Sequence, residues 1–166
     1  MEPSAGNDTQ HVRLLGLGNG LLADDAFGLL VACEAERILP EEIEVVCSSD
    51  AGYSLMDHLL GASSLIVVDT IVTGAARPGT VHVFDLDQLK MAPCVAPHFL
   101  GLREVLAAGR QLHLNVPNQA VVIAVEAADC TTIGGAMHPD VRTAIAEAVG
   151  LVRSFVADGY LKCVTA

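Results

Sequence analysis

Apolar positions along this chain fall into two kinds of pattern. Strand-length apolar runs recur at residues 11–15, 43–47, 64–68 and 120–125. Between them lie spaced sets of helical period: Phe27, Leu29, Leu30, Cys33 and Ile38, then Val141, Ile145, Val149 and Val152. The first run leads into Gly16-Leu17-Gly18-Asn19-Gly20, a turn that must stop the strand because Gly alone adopts positive φ cheaply. An amphipathic helix follows, with an acidic start at Asp24 and Asp25 and an end before Pro40. Residues 48–52 read as a turn, 54–60 as a short helix closed by Gly61, and 64–68 as a buried strand ending at Asp69. After a loop at 74–79, residues 80–84 alternate with period two and predict an edge or antiparallel strand. Residues 86–97 hold prolines and no period, which predicts a long loop delivering His98 to a helix spanning roughly 99–108. The last helix is expected at 139–156, with Pro139 in its first turn.

Strands alternating with helices predict an α/β fold. The expected architecture is a three-layer α/β/α domain, a five-stranded mostly parallel (mixed) sheet with helices on both faces. Residues 1–10 are polar and turn-rich and read as a disordered extension, leaving residues 11–166 as a single domain. A chain of 166 residues buries about two-thirds of its unfolded surface in one core. In such sheets ligands bind beyond the carboxyl ends of the strands, where loops from several strands converge.

Composition narrows the function classes. Although 52% of the residues are hydrophobic, the longest apolar runs, such as residues 65–68, are far shorter than a membrane span, so no membrane partner is expected. The N-terminus has no basic segment followed by an apolar one, which points to a cytoplasmic location. Cys33, Cys47, Cys94, Cys130 and Cys163 are odd in number and lack C-x-x-C spacing, so neither a disulfide framework nor a zinc knuckle is encoded. A formal net charge of −11 repels a phosphate backbone and argues against nucleic acid as a partner.

Two readings of the glycine turn compete. Gly16-x-Gly18 after a strand and before a helix suggests a nucleotide-binding Rossmann-type turn. Leu21 stands where a third Gly is needed, however, and the second strand ends at Cys47 rather than in an acid for the ribose. Asp24 and Asp25 would also place negative charge where a pyrophosphate belongs. The same acids suit a cation. Asp25 follows the first strand, Asp69 ends a buried strand, and His98 arrives before a helix, so all of them are expected at one sheet edge. Two carboxylates and an imidazole form an oxygen and nitrogen donor set suited to nickel, zinc or manganese, with positions left for water or substrate. Each has a plain structural alternative, a helix cap or first-turn acid for Asp24 and Asp25 above all.

Residues 16–28, GLGNGLLADDAFG, resemble the G-x-G-N-x-L-x-x-D-[DE]-x-x-G opening of the nickel-iron hydrogenase maturation endopeptidases. Residues 65–72, LIVVDTIV, are similar to that family's strand motif ending in its second metal ligand. Residues 96–102, APHFLGL, are similar to its [ST]-P-H-x-x-G-[LI] segment. The resemblance runs from about residue 12 to 156 and implies that Asp25, Asp69 and His98 are metal ligands, with Asp25 where many members carry Glu. It further implies an endopeptidase that removes the C-terminal extension of a hydrogenase large-subunit precursor once nickel is inserted. The nickel would then belong partly to the substrate, with zinc or cadmium able to replace it in crystals. A docking or chaperone protein that holds such a partner without cleaving it is the alternative.

The segment after the second strand departs from the family's acidic-Gly-Gly-Thr-x-Gly turn. Here residues 47–52 read CSSDAG, with Asp50 as the candidate acid or base. Cys47 reads as a buried strand-end thiol, or alternatively as a soft fourth nickel ligand. Residues 126–135 also lack the prolines expected of the family.

Overall fold

A computed structural model of the chain describes residues 11–85 and 101–158. β1 (Val12–Leu17), β2 (Glu44–Ser48), β3 (Ser64–Ile71), β4 (Val81–Asp85) and β5 (Gln119–Glu126) form one sheet in the order β2-β1-β3-β5-β4. All pairings are parallel except that of β4 with β5, so the edge strand expected at 80–84 is the antiparallel one. The α-helices are α1 (Phe27–Glu36), α2 (Met56–Leu59), α3 (Leu102–Gln111) and α4 (Pro139–Ala157). The expected extension at residues 1–10 lies outside the described residues.

Strand alternation sorts the core into two layers. Leu14, Ile66, Val68, Val121, Ile123 and Val125 pack with residues of α1 and α4. Leu15, Leu65, Val67, Val122 and Ala124 pack on the other face with Leu55, Leu59, Leu102 and Leu106. This is the three-layer arrangement expected, with the central strands buried on both faces as parallel strands require.

Three glycines of the opening motif hold α1 unusually close to the sheet. A Cβ on Gly28 would lie 2.2 Å from the Leu17 carbonyl oxygen and 2.3 Å from that of Val68. One on Gly16 would meet the Gly28 oxygen at 2.4 Å, and one on Gly18, whose φ is +144°, would meet the Asp25 oxygen at 1.9 Å. The close-packing glycine missing at Leu21 is therefore supplied inside the helix, at Gly28. Nothing larger would let the start of α1 sit over the carboxyl ends of β1 and β3.

One strand boundary corrects the expectation. β3 does not end at Asp69 but continues through Thr70 to Ile71, because β5 extends alongside it to Glu126 and pairs Asp69 with Ala124. Asp69 is thus a polar residue inside the central strand.

Candidate functional site

Asp24 and Asp25 lie in a 3-10 turn, Asp24–Ala26, that joins β1 to α1, and both are buried. They turn in different directions. Asp24 does not cap its own helix: its Oδ2 accepts the backbone N–H groups of Ala128 (2.8 Å) and Asp129 (2.9 Å), and its Oδ1 accepts that of His138 (2.6 Å). These donors lie on the segment between β5 and α4, so Asp24 ties two carboxyl-edge loops together. The tie is continued by an isolated antiparallel bridge between Leu22 and Ile133.

Asp25 points to the sheet edge. Its Oδ2 accepts the Asn19 backbone N–H at 2.9 Å, and its Oδ1 accepts the Thr70 hydroxyl at 3.1 Å. The turn amide that would face a pyrophosphate in a nucleotide-binding protein is thus taken by a carboxylate. Asp69, with 0% of its surface exposed, accepts the Thr70 backbone N–H at 2.7 Å through Oδ1. Asp25 is 1% exposed and Thr70 0%. The structure therefore brings Asp25 and Asp69 to a common residue, Thr70. His98, the remaining ligand candidate, lies outside the described residues; α3, which follows it in sequence, begins at Leu102.

Cys130, which no spacing marked out, belongs to this neighbourhood. Its thiol donates to the Thr70 hydroxyl at 3.6 Å. Burial, opposed by the Thr70 bond and reinforced by the negative charges of Asp25, Asp24 and Asp69, pushes the thiol pKa up to about 11. A thiol hemmed in by three carboxylates stays protonated at neutral pH and acts as a donor.

Cys47 corrects the expectation of a buried thiol. It is exposed, lies before the last residue of β2, and its neighbours are the Leu29 carbonyl oxygen (3.9 Å), Cys33 and Glu36 along α1. Partial burial, then the adjacent Cys33, raise its pKa to about 11. Those neighbours lie within α1 and not in the Asp24–Ala26 turn that carries Asp25.

Asp50 stands on the turn after β2. Its Oδ2 is 2.6 Å from His58 Nε2 and accepts the Ser48 hydroxyl at 3.0 Å. The His58 bond above all, then that of Ser48, lowers its pKa. Ser48 Oγ also lies 3.0 Å from the same imidazole nitrogen, so these residues share one ring atom and do not form a nucleophile–base–acid relay. Gly52 in this turn has φ of +57°, and its Cα would be 3.9 Å from a Cβ on Gly101, the residue before α3. The turn thus buttresses the entry to α3.

Glu126, another buried acid at the carboxyl edge, accepts the backbone N–H groups of Thr73 (2.8 Å) and Gly74 (2.9 Å) and the Thr73 hydroxyl (2.8 Å). It organises the loop after β3. Asp25 and Asp69 offer carboxylate oxygens, the donor type a divalent cation takes, and neutral donors fix their orientation. Among the described residues no group of three or more His, Cys, Asp or Glu side chains is gathered that could hold a metal ion. Among the described residues no helix is long and apolar enough to cross a membrane.

Comparison with known proteins agrees with the sequence motifs. The chain matches the hydrogenase maturation protease family over residues 29–154. It is 34% identical over 103 residues to hydrogenase 2 maturation protease of Escherichia coli strain K12, covering 60% of this chain and 63% of that one, a little under two-thirds of its length. It is 29% identical over 161 residues to the hydrogenase expression/formation protein HupD of Bradyrhizobium diazoefficiens, covering 94% of this chain and 82% of that one. Among solved structures, the hydrogenase maturating endopeptidase HybD from E. coli superposes with a TM-score of 0.76 at 28% identity, covering 90% of this chain and 93% of that one. An α/β peptidase fold with a carboxylate-lined sheet edge is thus the class of protein at hand. The chain belongs to the hydrogenase maturation protease family.

Proposed function

We propose that this chain is the endopeptidase that clips the C-terminal extension from a nickel-iron hydrogenase large-subunit precursor after nickel insertion. In this reading Asp25 and Asp69, with His98, hold the metal carried by the precursor. The observation that supports it most is the pair of buried carboxylates, Asp25 and Asp69, both hydrogen-bonded to Thr70 at the carboxyl edge of the central strand. Family membership supports the peptidase activity itself.

The chain's own residues supply orientation. The Asn19 amide and Thr70 hydroxyl fix the Asp25 carboxylate, while the Thr70 amide fixes that of Asp69. Pre-set ligand geometry avoids reorganisation when the precursor docks. Nickel held there would polarise the scissile carbonyl or acidify a water, so no Ser or Cys nucleophile is required. Asp50, already bonded to His58, is the candidate for accepting or returning a proton beside α3.

Intact-mass spectrometry of a nickel-loaded precursor tests this. The wild-type chain is expected to shorten it, and Asp25→Ala, Asp69→Ala and His98→Ala variants to leave it long. A precursor left long by the wild type refutes the endopeptidase; one shortened equally by all the variants refutes the metal-ligand assignment.

A further inference from the structure

Thr70 is a fully buried polar residue near the carboxyl end of the central strand β3, between Asp69 and Ile71 and just beyond the apolar run 65–68. Valine has nearly the same shape, suits a β-strand as well and loses no desolvation energy there. What the threonine adds is a hydroxyl, and both that hydroxyl and the backbone N–H of this residue are directed at the site. Its backbone N–H donates to Asp69 Oδ1, its hydroxyl donates to Asp25 Oδ1, and that hydroxyl oxygen accepts the Cys130 thiol.

We infer that Thr70 is the positioning residue of the metal-binding carboxylates, a strut that sets Asp25 relative to Asp69, with Cys130 fixing the direction of its hydroxyl proton. This inference rests on the reading of Asp25 and Asp69 as ligands.

The direction of the relay follows from the donors available. A hydroxyl has one proton, and it can point at Asp25 only while the oxygen lone pairs serve the other neighbour. Cys130 occupies that neighbour's place as a donor, so the Thr70 proton is left for the carboxylate. Alternation along β3 makes the strut necessary. Thr70 has the parity of Ile66 and Val68, which pack in the α1 and α4 layer, whereas Asp69 has that of Leu65 and Val67 in the opposite layer. Consecutive residues of a strand point to opposite faces. A group that reaches both carboxylates must therefore use its side chain for one and its backbone for the other, as Thr70 does.

The test compares Thr70→Val, which keeps shape and removes the hydroxyl, with Thr70→Ser, which keeps the hydroxyl. Two readouts are taken: precursor processing, resolved into kcat and KM, and cadmium binding to the free chain by calorimetry. Loss of a group that orients a metal ligand typically lowers affinity or activity about 10–100-fold. Thr70→Val is expected to lower kcat and weaken cadmium binding by about that factor, leaving KM and the circular dichroism spectrum unchanged. Thr70→Ser is expected to stay within about threefold of wild type in both. Should Thr70→Val not fold, Thr70→Ala takes its place. Equal cadmium affinity for wild type and Thr70→Val overturns the strut, as do a Thr70→Ser variant no better than Thr70→Val and a wild-type chain that binds no cadmium. A wild-type chain that binds cadmium but leaves the precursor long refutes the endopeptidase while calorimetry still decides the strut.

Discussion

Replacing Gly28 with alanine sets two physical effects against each other, and the sign of the outcome reveals which governs the position of α1. Intrinsic helix propensity favours alanine over glycine by about 1 kcal/mol in a helix interior. Packing opposes it: the new Cβ would lie 2.2 Å from the Leu17 oxygen and 2.3 Å from the Val68 oxygen. Ordinary C···O contacts begin near ~3.3 Å, so α1 would have to retreat by about 1 Å. Both obstacles are strand carbonyls bound into the sheet and cannot rotate aside. Overpacking typically costs about 1–3 kcal/mol, and unyielding neighbours place this case at the upper end. The net expectation is a loss of about 2 kcal/mol, or roughly 4–8 °C in Tm for a domain of this size. Gly150 in α4, where an added Cβ would meet nothing within 4 Å, provides the internal control, and Gly150→Ala should raise stability by up to about 1 kcal/mol. Because the Asp24–Ala26 turn runs directly into α1, the same retreat would displace Asp25. A displacement of about 1 Å in a reacting group can cost on the order of 100-fold in rate. Thermal unfolding of both variants, with processing of the precursor by each, measures these effects. A Gly28→Ala protein that melts above wild type would show that propensity, and not contact with the sheet, decides this position.

Asp24→Ala should unfold at markedly lower denaturant, by about 3 kcal/mol or more, because the amides of Ala128, Asp129 and His138 lose their acceptor. A loss below about 1 kcal/mol in urea unfolding would mean that solvent satisfies these groups. The pH dependence of stability below neutrality should carry the imprint of Asp50 and Asp129. Asp50 is held low by His58 and Ser48, and Asp129 by Thr132 and Thr131. A carboxylate whose folded pKa is depressed contributes stability that is fully present above its unfolded value near ~3.9 and disappears as pH falls through the lower folded value. Asp129→Asn and Asp50→Asn should therefore show a shallower loss of urea midpoint than wild type below about pH 4. Parallel midpoint curves would contradict the assignment.

The parts of the fold written in local patterns were legible from the chain alone. The buried runs at residues 64–68 and 120–125 became neighbouring central strands, the weaker alternation at 80–84 became the antiparallel edge, and Pro139 opens α4. What failed did so for physical reasons. Asp69 looked like the end of its strand because a charged residue interrupts an apolar run, yet β5 continues beside it to Glu126 and satisfies the backbone beyond. Asp24 looked like a cap because capping is a local habit of acids, whereas its donors lie more than 100 residues ahead, beyond any local pattern. Cys130 carried no signal, since a scattered cysteine gains meaning only when the sheet sets it beside Thr70. Asp50 was marked by its place in a turn, but its partnership with His58 depends on the short helix folding back over that turn. Asp25 was marked by the motif, and the motif's glycines explain why: each removes a side chain that would push the helix start off the sheet.

The adjacent acids then explain each other. A 3-10 turn directs successive side chains about 120° apart, so one carboxylate can be buried toward the neighbouring loop while the next meets the strand edge. Asp24 uses three backbone amides to fasten the β5–α4 segment, which carries Cys130, against the β1–α1 turn, which carries Asp25. Cys130 orients Thr70, and Thr70 orients Asp25 and touches Asp69. The loop clasp is therefore the foundation of the carboxylate geometry and not a separate structural detail. A substitution at Asp24 should reach the site through Cys130 as well as through its neighbour in sequence, and loss of the clasp should loosen both ends of the same hydrogen-bond chain.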